Sequence, residues 1–438
     1  MVVMELPGPN ASRRRFLKAA LAVGGASALS ACLDRFGDEP IPQGVDDPTA
    51  LPDRQFAWND SLDRDDGGNV VLPEHHLLLY LRYDGEGELP TAADRETLDA
   101  ALRTIERAFE WSNRGVVFDL GYSPAYFDRF GESLPDSVDL PPPRRLTPVD
   151  TPALDEQDAL LHLASDRSDA LMRIEETLFG SGDTLNGVDV AGRLGDVFTV
   201  EDRRTGFIGP GLPAANQGVG GIPEDGPVPE EAPLFMGFKA GFAANQATEE
   251  YVTLSEGPFA GGTTKHVARI RQQLDKWYGE NSHEEMVAKL FSPQLAESGA
   301  VDGVGNNLGD DSGITDEIYE AIDETADEFG LVGHAEKAAR ANRDEEGTVR
   351  TLRRHVESTD DGNASLHFPS YQQEISEFEA VQEAMNGSDL VRDHPEIDPR
   401  VKNGIFRYIF VENRGNFLVP PRSLRAFPTP TGETPGAE

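Results

Sequence analysis

Apolar residues first gather without alternation at 77–81, Leu-Leu-Leu-Tyr-Leu, a run that predicts a buried strand. Between 91 and 111 the spacing becomes helical, with Leu98, Ala101, Leu102, Ile105 and Phe109 following a Thr91-x-x-Asp94 start. GVVFDLGY (115–122) and DALLHLA (158–164) predict two more strands, and 165–178 a second helix. Strands alternating with helices in this way indicate an α+β sandwich of the ferredoxin-like kind. Residues 33–69 show no sustained period and are rich in Asp, Pro and Gly, so an acidic disordered tether is expected there. In the later half, GPFAGGTTKHVARIRQQL reads as a turn at Gly261 and Gly262, a strand, and the start of a helix.

Charge changes the picture more than composition does. The 78 acidic residues outnumber the 39 basic ones, and the formal net charge of -39 excludes a nucleic-acid partner, because a phosphate backbone is repelled. The acids are dispersed along the chain, which suits a folded, haloarchaeal-like protein kept soluble in strong brine, where screening lengths are short.

The amino terminus predicts export. Residues 12–32, SRRRFLKAALAVGGASALSAC, resemble a twin-arginine signal for folded protein, a route that serves proteins acquiring a cofactor inside the cell. The apolar run is short and broken by Gly24 and Gly25, which argues against a membrane-spanning helix. It ends in a lipobox-like Leu29-Ser30-Ala31-Cys32, and Cys32 is the sole cysteine, so neither a disulfide nor a thiolate zinc site is available and lipidation of Cys32 is expected. The expected location is the outer face of the cell membrane, held by that lipid.

The candidate chemistry lies in 329–354, FGLVGHAEKAARANRDEEGTVRTLRR, where His334 precedes the pair Arg353 and Arg354. Alone, a histidine and an arginine at that interval say little. Their company gives them meaning. GYSPAYFDRFGESLPDSVDLP with DALLHLASD, then PLFMGFKAGFAANQ, EGPFAGGTTKHVARIRQQLDKWY, SLHFPSYQQEISEFEAVQEAM and NGIFRYIFVENRGNFLVPP resemble, in this order, segments of the dye-decolourising (DyP-type) haem peroxidases. The resemblance covers roughly 72–421 and is densest after Pro233.

The resemblance implies two ferredoxin-like domains, at about 70–200 and 205–425, of the dimeric α/β-barrel-like superfamily, followed by a disordered tail from 426 to 438. It implies haem b, with His334 as the iron ligand and Arg353 on the opposite face, Arg354 standing as the alternative at an offset of one. A neutral imidazole donates a nitrogen to iron, and a permanently charged guanidinium steadies negative charge building on peroxide. Glu374 falls where family members hydrogen-bond the ligand histidine's other nitrogen. Arg340 and Asn342 fall where they contact the distal arginine or the haem propionates. Gly237, Phe238, Ala240 and Gly241 match the distal motif, with one departure: Ala240 stands where the family carries an aspartate that moves a proton.

The expected activity is peroxidase turnover, reducing hydrogen peroxide at the expense of a small organic donor, weakened by Ala240. The alternative is a haem-binding or haem-iron handling surface lipoprotein without turnover. A homo-oligomer is compatible with either. His355, two positions from Arg353, is the one other candidate for the missing acid's work, but on a helix or a turn positions i and i+2 face different ways, so it is expected to face away from Arg353. His266, Trp277, Tyr371 and Tyr408 are expected to be structural. His75, His76 and His162 are expected at strand edges on the surface, since nothing completes a metal site.

Overall fold

A computed structural model describes residues 39–432 except Glu86, Pro148 and Glu345; the signal segment and Cys32 lie outside the described residues. The first half follows the order β1 His75–Tyr83, α1 Ala92–Ala108, β2 Val117–Tyr122, β3 Ala159–Ser165, α2 Ser168–Leu178 and β4 Phe198–Phe207. The second half repeats it with a longer insertion. β5 Thr263–Gln272 leads through α3 Leu274–Glu280, α4 His283–Leu290 and α5 His334–Ala341 to β6 Val356–Ser358 and β7 Ser365–Gln372, then α6 Ile375–Met385 and β8 Ile409–Val419.

Each half forms the antiparallel ferredoxin-like order, β4-β1-β3-β2 and β6-β7-β5-β8. Their edges then join. Leu418 of β8 pairs with Tyr122 of β2, and Glu357 of β6 pairs with Phe207 of β4, closing the eight strands into a barrel. The expected boundary at 200–205 therefore falls inside β4, and the two halves share one sheet.

Closure explains the unbroken apolar run of β1. Leu77, Leu79 and Leu81 pack outward with Leu98, Leu102 and Ile105 of α1, while Leu78 and Tyr80 pack inward with Leu160, Val267 and Phe417. The start of α1 is the capping box read from the sequence: Asp94 N–H donates to Thr91 Oγ1 at 3.2 Å, and Thr91 N–H to the Asp94 carboxylate at 2.8 Å.

The strand histidines are not at the surface. His76 Nδ1 meets His162 Nε2 at 2.8 Å inside the barrel, and His162 Nδ1 meets Lys265 Nζ at 3.1 Å. Lys265 is paired with Asp119 at 2.7 Å, and Asp119 also accepts from Tyr371 Oη at 2.6 Å. A closed barrel has an interior, and these polar groups fill it by satisfying one another.

The expected tether is folded from about residue 41 onward. Ile41, Phe56, Trp58 and Leu62 are buried. The Gln55 amide donates to the carbonyls of Leu120 and Pro420 and accepts from Leu120 N–H. These residues cap the barrel and its flanking helices, a role that imposes no repeating period. The expected tail is likewise ordered at its start: Phe427 is fully buried and its N–H donates to Tyr122 Oη at 3.0 Å. Among the described residues no helix is long and apolar enough to cross a membrane.

Candidate functional site

The outer faces of β5, β7 and β8 are covered by α5, α6 and the segment 234–246, and the cover does not fill the space beneath it. Two lobes of about 260 and 180 Å³ meet at His334, Ala338, Asn342, Arg353 and Phe368. Their walls are mostly apolar, with Phe238, Phe291 and Ile405 on one side and Phe378, Met385 and Val411 on the other. A third, more polar cavity of about 540 Å³ shares Ala240, Gly241, Arg353 and His355 with the smaller lobe and opens between that motif and residues 59–72.

His334 is the first residue of α5, and glycine sets its position. A Cβ on Gly333 would lie 1.9 Å from the Phe291 carbonyl, and one on Gly404 would lie 3.1 Å from the His334 backbone. The helix is held one turn later, where Lys337 Nζ donates to the Met385 carbonyl at 3.0 Å. The imidazole lines both lobes, and its Nδ1 has no hydrogen-bond partner. Burial, with Lys337, Arg353 and His355 nearby, pushes its pKa down to about 3, so the ring is neutral and carries a free lone pair.

Arg353 reaches the same lobes from the sheet side. The Gln246 amide clamps its backbone, accepting from Arg353 N–H and donating to Arg353 carbonyl, both at 3.0 Å. Its guanidinium donates to Asn245 carbonyl at 2.5 Å and has no carboxylate partner among the described residues. Burial lowers its pKa to about 10, which leaves it charged at neutral pH. Arg354 turns the other way, to Glu249 at 2.6 Å, with its guanidinium 4.2 Å from the centre of the Trp58 ring.

The motif residues Phe238, Ala240 and Gly241 line the smaller lobe, and Gly237 sits just outside it with φ +88°. Asn342 lines both lobes and holds the return toward Arg353, its Oδ1 accepting from Thr351 N–H at 3.1 Å.

Two expected contacts do not form. Glu374 is exposed at the N-cap of α6, where its carboxylate accepts from Ser376 Oγ at 3.1 Å, and it does not reach His334. A helix start at that position turns the side chain toward solvent. Arg340 lines neither lobe; it leaves the opposite side of α5 to pair with Asp389 at 2.7 Å. His266, Trp277, Tyr371 and Tyr408 are buried and hydrogen-bonded, as expected of structural residues.

Sequence reasoning set His355 aside and missed Glu357. The segment after Arg353 is extended, neither helix nor turn, so 353, 355 and 357 share a face, and all three line the smaller lobe. The His355 ring lies parallel to Phe368, 6.0 Å between centres. Glu357 accepts from Phe235 N–H at 2.8 Å and Gln272 Nε2 at 2.7 Å, and burial pushes its pKa up to about 8. The alternation Arg-x-His-x-Glu was the available signal.

A planar ligand of haem type fits this donor set in kind. The hollow offers one neutral imidazole with an uncommitted nitrogen, apolar walls, and a guanidinium without a carboxylate partner among the described residues. No cluster of three or more His, Cys, Asp or Glu that could hold a bare metal ion is present among the described residues.

The fold is shared with DyP-type peroxidases. The encapsulated DyP-type peroxidase of Mycobacterium smegmatis superposes with a TM-score of 0.51 at 16% identity, over 90% of this chain and 100% of its own. DyPB from Rhodococcus jostii RHA1 gives 0.51 at 15% identity, over 82% and 96%. A DyP-type peroxidase protein from Shewanella oneidensis, itself described as a presumed one, gives 0.50 at 14% identity, over 82% and 95%. No curated protein matches the sequence. A family model described as a family of unknown function, DUF7405, matches residues 73–421, and the chain, with its DyP-type fold, belongs to that family.

Proposed function

We propose that the chain is a haem-dependent peroxidase that reduces hydrogen peroxide while oxidising a small organic donor. The observation that carries this reading is the meeting of His334 and Arg353 in one apolar hollow, one from a helix and the other from the sheet. Haem b, when bound, supplies the redox-active iron for peroxide reduction and donor oxidation. His334 would hold it through a neutral imidazole, and Asn342 orders the loop leading back to Arg353. Arg353, charged and without a carboxylate, attracts the negative charge that develops on the departing peroxide oxygen. The apolar walls exclude water, and the outer cavity beside Ala240 admits peroxide.

The test is an absorption spectrum after haem reconstitution, followed by peroxide and a reducing dye. A Soret band, its loss in His334→Ala, and dye turnover are expected. A Soret band without turnover would leave only haem binding, and no band would remove both.

We further propose export by the twin-arginine route and lipid attachment at Cys32, supported by residues 12–32. Mass spectrometry of the membrane-derived protein tests this: an unmodified Cys32 would refute the anchor.

A further inference from the structure

We propose that His355 is the proton carrier of this site: it takes a proton from hydrogen peroxide in the cavity it shares with Arg353 and returns it to the departing oxygen. The inference rests on the peroxidase reading above and names the group that performs its acid–base step.

Four observations meet at this residue. His355 lines both the inner lobe and the outer cavity, so it stands where the apolar hollow and the polar entry join. Its Nδ1 is buried without a hydrogen-bond partner, an arrangement that costs stability unless a ligand completes it. The motif residue on the same cavity wall, Ala240, has no proton to move. Lastly, apart from Arg353 and His334, the titratable groups beside it in the inner lobe are committed. Lys239 is paired with Asp65 at 2.6 Å. Glu357 is fixed by Phe235 and Gln272, and Arg343 donates to Ala339 carbonyl at 3.1 Å. In the outer cavity Glu249 accepts from Trp58 N–H, Asn59 N–H and Arg354.

Arg353 cannot take this part, because a charged guanidinium has no lone pair with which to accept a proton. Burial and the adjacent Arg353 hold the His355 pKa down to about 4, so its ring is neutral and has one. The step balances at the imidazole. One peroxide proton moves to the ring and passes to the other oxygen as the O–O bond breaks. That oxygen leaves as water, and His355 ends as it began. The two electrons that break the O–O bond are lent by the proposed haem; the organic donor, giving up two electrons and two protons, restores it and releases the second oxygen as water.

The test uses cyanide, which reads the proton step without turnover, because hydrogen cyanide must give up its proton to bind as the anion. Association with the haem-loaded protein is followed at the Soret band by stopped flow for the wild type, His355→Leu and His355→Asn, the last serving where the leucine variant fails to fold. Both variants are expected to bind roughly 10²-fold more slowly.

Unchanged cyanide rates in haem-loaded variants would overturn the proposal and leave the peroxidase reading standing. A wild-type low-spin ferric spectrum that becomes high-spin in His355→Leu would also overturn it, since His355 would then bind iron. Failure of the wild type to take up haem would overturn both readings.

Discussion

Arg353 and Arg354 are adjacent in the chain and face opposite sides of one extended segment. Arg353 lies in the apolar hollow without a carboxylate, whereas Arg354 lies 2.6 Å from Glu249 between the rings of Trp58 and Tyr371. Two equal charges thus have different surroundings, one facing the hollow and the other holding the cap of the barrel.

Arg353→Leu is therefore expected to abolish most peroxide-dependent dye turnover with little change in urea unfolding. Arg354→Leu should instead destabilise the fold by about 3 kcal/mol, because it strands a partly buried Glu249. Unfolding midpoints and dye turnover on both variants check the division; the reverse pattern would show that the roles are exchanged.

Gly333→Ala places a methyl group 1.9 Å from the Phe291 carbonyl, and α5 must shift to accommodate it. A loss of about 1–3 kcal/mol is expected. Because His334 is the next residue, haem uptake should weaken as well. A variant with wild-type stability and an unaltered Soret band would contradict the positioning described here.

Ala240→Asp puts a carboxylate on the wall shared by the inner lobe and the outer cavity. With His355 already carrying the proton, the wild type should gain little, whereas His355→Leu should recover peroxide-driven turnover about tenfold or more when Ala240→Asp is added. Stopped-flow comparison at matched haem content measures both, and no recovery in the double variant would show that a carboxylate on this wall does not serve the proton step.

His394 clasps two helical segments, its Nδ1 on Asp327 and its Nε2 on Asp323, each at 2.9 Å. The hydrogen bond to Asp323, followed by that to Asp327, raises its pKa above the usual 6.5. A raised folded-state pKa gives stability that is fully present below about pH 6.5 and lost as pH rises through the folded value. The wild type should therefore lose its stability margin over His394→Gln as pH rises from about 6.5 through the raised folded value. Equal pH slopes for the two proteins in urea titrations would dismiss the clasp.

Salt should be decisive for the whole chain. With a formal net charge of -39, self-repulsion is expected to unfold the protein in dilute buffer and molar salt to restore it. Circular dichroism during dialysis tests this, and indifference to salt would rule out the halophilic reading.

Local features were the legible ones. The capping box at Thr91 and Asp94 and the doubly buried run of β1 follow from short-range pattern. The pairs Leu418–Tyr122 and Glu357–Phe207, which close the barrel, join residues remote in sequence, and no period announces them. Phe56 and Trp58 were hidden for the same reason, since they fill gaps left by other elements. In the site, resemblance to the family's motifs brought His334 and Arg353 forward, and the structure places both in one cavity. Glu374 was misplaced because its direction depends on where α6 begins. His355 was set aside on the assumption of a helix or turn, and an extended chain reverses that geometry.

A sheet that returns to its own first edge offers neighbouring molecules few open backbone groups. That matters most in brine. At molar salt the reach of charge repulsion shrinks to about 3 Å, so the acidic surface no longer keeps copies of the chain apart at a distance. Resistance to strand-to-strand aggregation must then come from topology, and the joining of β2 to β8 and β4 to β6 supplies it.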